Sequence, residues 1–201
     1  MDLSWLEDWW DRLNKRRLIE IVLVALVTFG VTALLRWDFD KITYPVGRDE
    51  IPAGVYATLG DICIYLGVLI LGAPWGPAVV AVSMAAADLA VGSKLYFIGT
   101  LLIKFAMAYF VAAFALQCNT PKRCLAIAGL AEGMMFILYF FYDLVFVNYS
   151  VAVHALPINL LQGVVNCLLG ALILYKVPVQ YPRRMPRIRR RKNTGRFDEE
   201  F

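Results

Sequence analysis

Ionisable side chains occur in the outer parts of several strongly apolar stretches of the sequence, at Asp61, Asp88, Lys104 and Asp143. A charged group is costly to hold in hydrocarbon, so an ionisable residue in a membrane-spanning segment commonly marks a functional site. Asp88 and Lys104 flank a turn at Gly92-Ser93, which places both near one face of a membrane. We predict a polar site at this face, with Lys104 favoured for ligand contact and Asp88 for bracing the turn.

Amide side chains recur at helical spacing in the last apolar stretch. Asn159, Gln162 and Asn166 are spaced i, i+3, i+7, so they share one face of a helix. Amides also hydrogen-bond between helices, at about 0.6 kcal/mol each, and Asn166 fits either role. Asn159 and Gln162, at a depth similar to that of Lys104, indicate a ligand site.

The preceding apolar stretch carries a second polar face, made of Glu132, Tyr139 and Asp143 (i, i+7, i+11). Tyr96, beside the Gly92 turn, fits either an interfacial aromatic belt or stacking on a flat ligand. The predicted substrate-binding residues are Lys104, Asn159, Gln162, Asn166, Glu132, Tyr139, Asp143, Asp88 and Tyr96. Acids outnumber bases around this site, which favours a neutral or cationic, donor-rich ligand such as a pyrimidine or pyridine vitamin.

Motifs for catalysis are missing from the sequence. It has no HExxH, no GxSxG, no paired His–Cys arrangement and no Gly-rich phosphate loop. An intramembrane enzyme would have to rely on Glu132, Asp143 and the single histidine, His154, so we rank that alternative last. The four cysteines are not in CxxC spacing, and we interpret them as small buried apolar residues. We therefore predict no enzymatic activity, no cofactor and no metal.

Composition places these residues in a membrane. The chain is 60% hydrophobic, and a helical span needs about 20 apolar residues. Six spans are predicted, at residues 18–36, 56–72, 77–92, 98–117, 124–146 and 152–175. The longest polar connection, 37–55, is predicted to be a structured loop. The expected fold is an all-α integral membrane protein with an N-terminal amphipathic surface helix.

Three regions follow from the charge pattern: a cytoplasmic amphipathic segment at 1–17, a transmembrane domain at 18–176 and a basic tail at 177–201. With six spans, fifteen of the twenty Lys and Arg residues fall on one side of the membrane. Basic loops stay in the cytoplasm, so both termini are predicted to be cytoplasmic in a multi-pass protein of the cell membrane. The tail is expected to meet anionic lipid or a cytoplasmic partner rather than nucleic acid.

The turn region and its neighbours resemble the substrate-binding S components of energy-coupling factor (ECF) vitamin transporters. The resemblance rests on Ala87-Asp88-Leu89, Gly92, Tyr96 and Gly99-Thr100-Leu101-Leu102-Ile103-Lys104, on Leu59-Gly60-Asp61 with Leu71-Gly72-Ala73-Pro74-Trp75-Gly76, and on Pro157-Ile158-Asn159-Leu160-Leu161-Gln162. It covers about residues 55–175. Such subunits capture a vitamin or its precursor from outside with high affinity.

The resemblance also implies partners. An S component works with one transmembrane coupling protein and two ATPase subunits, whose ATP hydrolysis drives the subunit to topple in the membrane and release its cargo. Family members often dock the coupling protein through an Ala-x-x-x-Ala face on the first span. Here the candidate face is Ala25, Phe29 and Ala33, with Phe29 in place of a small residue. The alternatives are a self-sufficient carrier or channel, for which we find no inverted repeat, and a structural scaffold.

Overall fold

The computed structural model of the chain describes residues 15–46 and 49–177. Six α-helices and one β-hairpin make up this part of the chain: α1 Lys15–Leu34, β1 Arg36–Val46, β2 Asp49–Thr58, α2 Ile62–Leu71, α3 Trp75–Ala90, α4 Phe97–Phe114, α5 Pro121–Tyr142 and α6 Tyr149–Lys176. Short 3₁₀ turns flank α4, and a π-turn at Asp143–Val147 follows α5. Of the predicted surface segment at 1–17, residues 15–17 form the start of α1; its other residues and the tail after residue 177 lie outside the described residues.

Four of the helical segments are long and apolar enough to cross a membrane: Lys15–Leu34, Lys94–Gln117, Pro121–Val147 and Tyr149–Lys176. The other two helices are shorter. At 1.5 Å per residue, α2 is only about 15 Å long and α3 about 24 Å, against a hydrocarbon thickness of about 30 Å. The chain is therefore a multi-pass membrane protein built mainly of helices, with its helices close to the six predicted positions.

The shortest helix, α2, lies in the interior of the bundle. Its side chains are apolar all round, and most of them are buried, including Ile64, Tyr65 and Leu69. A helix that is apolar on every face is stable only when neighbours surround it. Gly170 of α6 allows one of these neighbours to approach closely, because a Cβ there would lie 2.3 Å from the Tyr65 ring. The interior position explains how so short a helix is accommodated.

The predicted start of the second span, at Tyr56, is wrong. Residues up to Thr58 continue β2, which pairs antiparallel with β1 from Arg36↔Thr58 to Val46↔Asp49, and α2 begins only at Ile62. The sequence pattern of a short apolar run does not distinguish a buried strand from a helix. The predicted structured loop at 37–55 is thus the greater part of a hairpin, and the fold is all-α apart from it.

The hairpin lies at the same end of the bundle as the turn between α3 and α4. Arg36 donates a hydrogen bond to the Ser93 hydroxyl (2.9 Å), and Val55 of β2 packs on Val151 and Ala155 of α6. Gly92, with φ of +89°, adopts the left-handed conformation that reverses the chain after α3. At the opposite end of the bundle, Arg17 of α1 donates to the carbonyl of Leu71.

Candidate functional site

A pocket lies beneath the hairpin, with walls contributed by β2 and by helices α1, α3, α4, α5 and α6. Apolar side chains, including Val55 and Met84, share these walls with hydroxyl, amide and charged groups. The cavity volume of this pocket is about 30 Å³. Since one water needs roughly 10–15 Å³ by this measure, the pocket in this conformation admits about two waters.

A buried ion pair forms one side of the site. The Lys104 ammonium, about two turns into α4, donates to Oδ1 of Asp61 at 2.5 Å. Asp61 immediately precedes α2, and its Oδ2 accepts a hydrogen bond from the Gln162 amide of α6 (2.9 Å). All three side chains are buried. The pair therefore links α2, α4 and α6, and the positive charge beside the pocket is neutralised within the protein.

A second buried carboxylate, Asp88, is held mainly by hydroxyl groups. Tyr56 donates to its Oδ1 (2.8 Å) and Thr100 donates to its Oδ2 (2.6 Å). Arg36 adds an ion pair at 3.7 Å and lies over the Tyr56 ring at 3.6 Å. Burial, followed by the charge of Asp88, raises the pKa of the Tyr56 phenol well above its usual value. At neutral pH Tyr56 is thus an uncharged donor that ties the hairpin to α3.

The base of the hairpin is fixed by the amides of α6. The Thr58 N–H donates to the side-chain oxygen of Gln162 (2.9 Å), and the Asn166 amide donates to the Thr58 carbonyl (3.0 Å). Both amides are buried. The last residue of β2 therefore has its backbone groups satisfied by α6, which holds the hairpin over the pocket.

The sequence of this helical domain matches one family model, that of the ECF-type riboflavin transporter S component, over residues 18–178. The match covers most of the chain. The protein belongs to this family. Comparisons with curated proteins and with solved structures returned no significant match. The family assignment confirms the resemblance predicted from the sequence and makes the chain a transport subunit for vitamin uptake rather than an enzyme.

Most of the residues predicted to bind substrate come together in this S component. The pocket is lined by Lys104, Asn159, Gln162, Tyr139, Asp143, Asp88 and Tyr96. Tyr139 shares a hydrogen bond with Thr100 (2.9 Å), and one carboxylate oxygen of buried Asp143 has no hydrogen-bond partner among the described residues. Their part in binding stays a prediction, but the structure brings them to one place.

Two predicted residues lie elsewhere. Asn166 is not among the residues lining the pocket; it donates a hydrogen bond to the end of β2, a strand, rather than to another helix. Glu132 accepts a hydrogen bond from Tyr65 (2.8 Å) and lines a second cleft between α5 and α6, which shares Asn159 with the pocket. The structure therefore does not bring either residue to the pocket beneath the hairpin.

Sequence reasoning missed the contributions of Tyr56, Thr58 and Thr100 to the pocket. The first two were assigned to the start of a transmembrane helix, where they showed no polar pattern. Thr100 was part of the motif behind the resemblance, but a lone hydroxyl in an apolar helix is usually satisfied by its own backbone. Its position one helical turn before Lys104 was the available signal that it shares the Lys104 face.

The S component presents its candidate docking face on α1. Ala25 and Ala33 are partly exposed, Phe29 is exposed, and the buried side chains of the helix are Thr28 and Thr32. Of the four long segments, α1 has the smallest buried share. The predicted docking residues are therefore accessible to a partner or to lipid.

The chemistry available in the pocket is hydrogen bonding and stacking. Within residues 15–46 and 49–177, no group of three or more His, Cys, Asp or Glu side chains could hold a metal ion. The hydroxyls, amides and tyrosine rings around the pocket suit a flat, polar and uncharged ligand, because Lys104 is paired with Asp61 and Asp88 with Arg36.

Proposed function

We propose that this S component captures riboflavin from outside the cell, in the pocket beneath the hairpin, for ATP-driven uptake. The observation that carries the proposal is the match of residues 18–178 to a family described by that substrate. The partners would be one transmembrane coupling protein and two ATPase subunits, as in other ECF transporters. These subunits would supply the ATP hydrolysis, since the sequence has no phosphate-binding loop.

The chemistry of riboflavin fits the groups around the pocket. Riboflavin is uncharged at neutral pH, with a flat tricyclic ring that carries an imide and a chain of hydroxyl groups. Tyr96 and Tyr139 offer aromatic faces, and Asn159 offers both a donor and an acceptor. Because Asp61 already neutralises Lys104, the ligand does not have to carry a negative charge. Of the neutral or cationic ligands expected from the sequence, this favours a neutral one, with a flavin in place of a simple pyrimidine or pyridine.

Entry of riboflavin requires the pocket to open. The present space admits about two waters, so a tricyclic ligand has to displace a wall. The hairpin is the wall that we expect to move: its base is bonded to α6 at Thr58, Tyr56 is bonded to Asp88, and Arg36 is bonded to Ser93. We infer that breaking the Tyr56–Asp88 contact and lifting the hairpin admits the ligand.

The proposed orientation has six spans, both termini in the cytoplasm and the hairpin outside. Two features support it. Bases cluster at the end of the bundle away from the hairpin, as Lys15, Arg16 and Arg17 at the start of α1 and as Lys122 and Arg123 at the start of α5. Such clusters stay on the cytoplasmic side. Burial of α2 within the bundle offsets its short length.

Uptake of radiolabelled riboflavin tests the function. Cells lacking endogenous riboflavin uptake would express this chain with an ECF module, the chain alone, or the module alone. We expect uptake only when both are present, with depletion of ATP abolishing it. Uptake by the chain alone would instead identify a self-sufficient carrier, and no uptake with several ECF modules despite normal expression would contradict the proposal.

A further inference from the structure

The charges around the pocket beneath the hairpin are not balanced. Lys104 forms its ion pair with Asp61, at 2.5 Å. Arg36 is shared between two carboxylates, because its Nε lies 2.8 Å from Asp38 and its Nη1 lies 3.7 Å from Asp88. Two cations therefore already face three carboxylates, before the remaining acid of the pocket wall is counted.

That remaining acid is Asp143, at the start of the π-turn that follows α5. It lines the pocket, is 2% exposed and has no ion-pair partner among the side chains that the structure describes. Aspartate is ionised at neutral pH. The pocket of about 30 Å³ has room for little water, and buried charges are screened much less than exposed ones. Asp143 is therefore the uncompensated negative charge of the pocket.

Such a charge acts differently on riboflavin and on its phosphate ester. Riboflavin is uncharged, so a nearby carboxylate does not repel it. A phosphate monoester adds a charge of about −1.5 to −2 at neutral pH. One unit charge about 8 Å from another, at an effective dielectric constant of about 20, changes a binding constant about thirtyfold. Lys104 and Arg36 are already paired with acids and do not offer the phosphate a free counter-charge.

We propose that Asp143 is a specificity-determining residue, which selects riboflavin against riboflavin 5′-phosphate. The inference rests on the proposed capture of riboflavin and adds the chemical group that the pocket rejects. Selection by repulsion is a common way to exclude a wrong ligand. It requires no contact between Asp143 and the ligand, because a Coulomb interaction acts across the pocket. It therefore does not depend on exposure of the buried oxygen of Asp143 that lacks a hydrogen-bond partner.

Equilibrium binding of the two flavins to the purified full chain tests the proposal, because both ligands fluoresce. The measured quantity is the ratio of their dissociation constants at neutral pH. We expect wild-type protein to bind riboflavin at least about a hundredfold more tightly than its phosphate. Asp143→Asn keeps the size of the side chain and removes its charge, so it should narrow this ratio at least about tenfold.

Two further variants show whether the charge at this position is responsible. Asp143→Glu keeps the charge, so the ratio should stay close to that of wild type even where the longer side chain weakens binding of both flavins. Glu20→Gln removes one negative charge near the start of α1, at the opposite end of the bundle. It should leave the ratio unchanged, which controls for the net charge of the protein.

The outcomes separate this inference from the proposed function. Riboflavin binding with the same ratio in Asp143→Asn as in wild type would overturn the role of Asp143 and leave riboflavin capture intact. Equal affinity of wild-type protein for the two flavins would do the same, and that comparison needs no variant to fold. Folded wild-type protein that binds neither flavin would contradict riboflavin capture itself, and this inference with it.

Discussion

At the residue scale, two buried carboxylates near the pocket are stabilised in different ways. Asp61 forms an ion pair with Lys104 and accepts a hydrogen bond from the Gln162 amide. Asp88 accepts hydrogen bonds from Tyr56 and Thr100, with Arg36 further away. The first arrangement links three helices. The second includes a residue of the hairpin, so it can be broken when the hairpin moves.

Breaking the Lys104–Asp61 pair from one side should be strongly destabilising. Lys104→Met leaves a buried carboxylate without its counter-charge, and we expect a loss of about 3–5 kcal/mol in the free energy of unfolding. The double variant Asp61→Asn with Lys104→Met retains an oxygen for Gln162 and should recover most of that loss. Unfolding in mixed micelles measures both. Equal losses in the single and double variants would contradict the pairing.

The Tyr56–Asp88 hydrogen bond gives a smaller and separable effect. Tyr56→Phe removes one donor from a buried carboxylate, which we expect to cost about 1.5–3 kcal/mol. It should also speed riboflavin association, because the hairpin is released. Tyr109→Phe is the matched control, since Tyr109 is exposed on α4 and should leave both quantities unchanged. Thermal unfolding and stopped-flow flavin fluorescence report the two effects, and a stable Tyr56→Phe protein with unaltered association would exclude this contact as a latch.

The sequence predicted which residues are polar in an apolar setting, but not their partners. Lys104 and Asp88 stood out because charges in apolar segments are rare. The Lys104–Asp61 contact joins residues 43 positions apart, and no periodicity within one helix encodes such a pairing. For the same reason Asn166 remained open between two roles until its partner, Thr58, was placed.

At the element scale, the packing of α6 on α2 depends on one glycine. A Cβ at Gly170 would lie 2.3 Å from the Tyr65 ring, whereas one at Gly30 would meet no atom within 4 Å. We expect Gly170→Ala to cost about 1–3 kcal/mol through overpacking, and Gly30→Ala to be neutral or stabilising by up to about 1 kcal/mol. Thermal unfolding of the pair tests this contact. Similar midpoints for both variants would mean that α2 and α6 are not in close contact.

The helices were easier to predict than the hairpin, for a physical reason. Long apolar stretches have one common solution in a bilayer, so α1, α4, α5 and α6 were located within a few residues. The hairpin is formed by residues of the predicted loop at 37–55 and by Tyr56–Thr58. The apolar residues that follow Tyr56–Thr58 favour a helix. The hairpin also contacts α6 through Thr58 and Val55, and the amino-acid composition does not reveal such contacts.

At the scale of the whole molecule, α1 is the helix with the most room for a partner. A smaller fraction of its residues is buried than in the other three long helical segments, and Ala33 is partly exposed. Both features fit the proposed contact with a coupling protein. We expect Ala33→Trp to reduce assembly with an ECF module at least about tenfold, because small residues permit close helix approach. Riboflavin binding by the isolated subunit should remain unchanged.

Ala106→Trp is the control for that experiment, because Ala106 is exposed on α4 rather than on α1. Co-purification of tagged module subunits measures assembly. If both tryptophan variants assemble normally, the docking face is not on this side of α1. If both variants fail to assemble, a large side chain on any lipid-facing surface prevents assembly, and the result does not identify a specific interface.

The central proposal, capture of riboflavin in the pocket beneath the hairpin, is tested most directly by equilibrium binding to the purified subunit. Riboflavin fluorescence is titrated with wild-type protein, with Asn159→Ala in the pocket wall and with Asn119→Ala at the opposite end of the bundle. We predict saturable, one-to-one quenching for wild type and Asn119→Ala, and about tenfold weaker binding for Asn159→Ala. Folded wild-type protein that leaves riboflavin fluorescence unquenched, or an Asn159→Ala protein that binds as tightly as wild type, would contradict it.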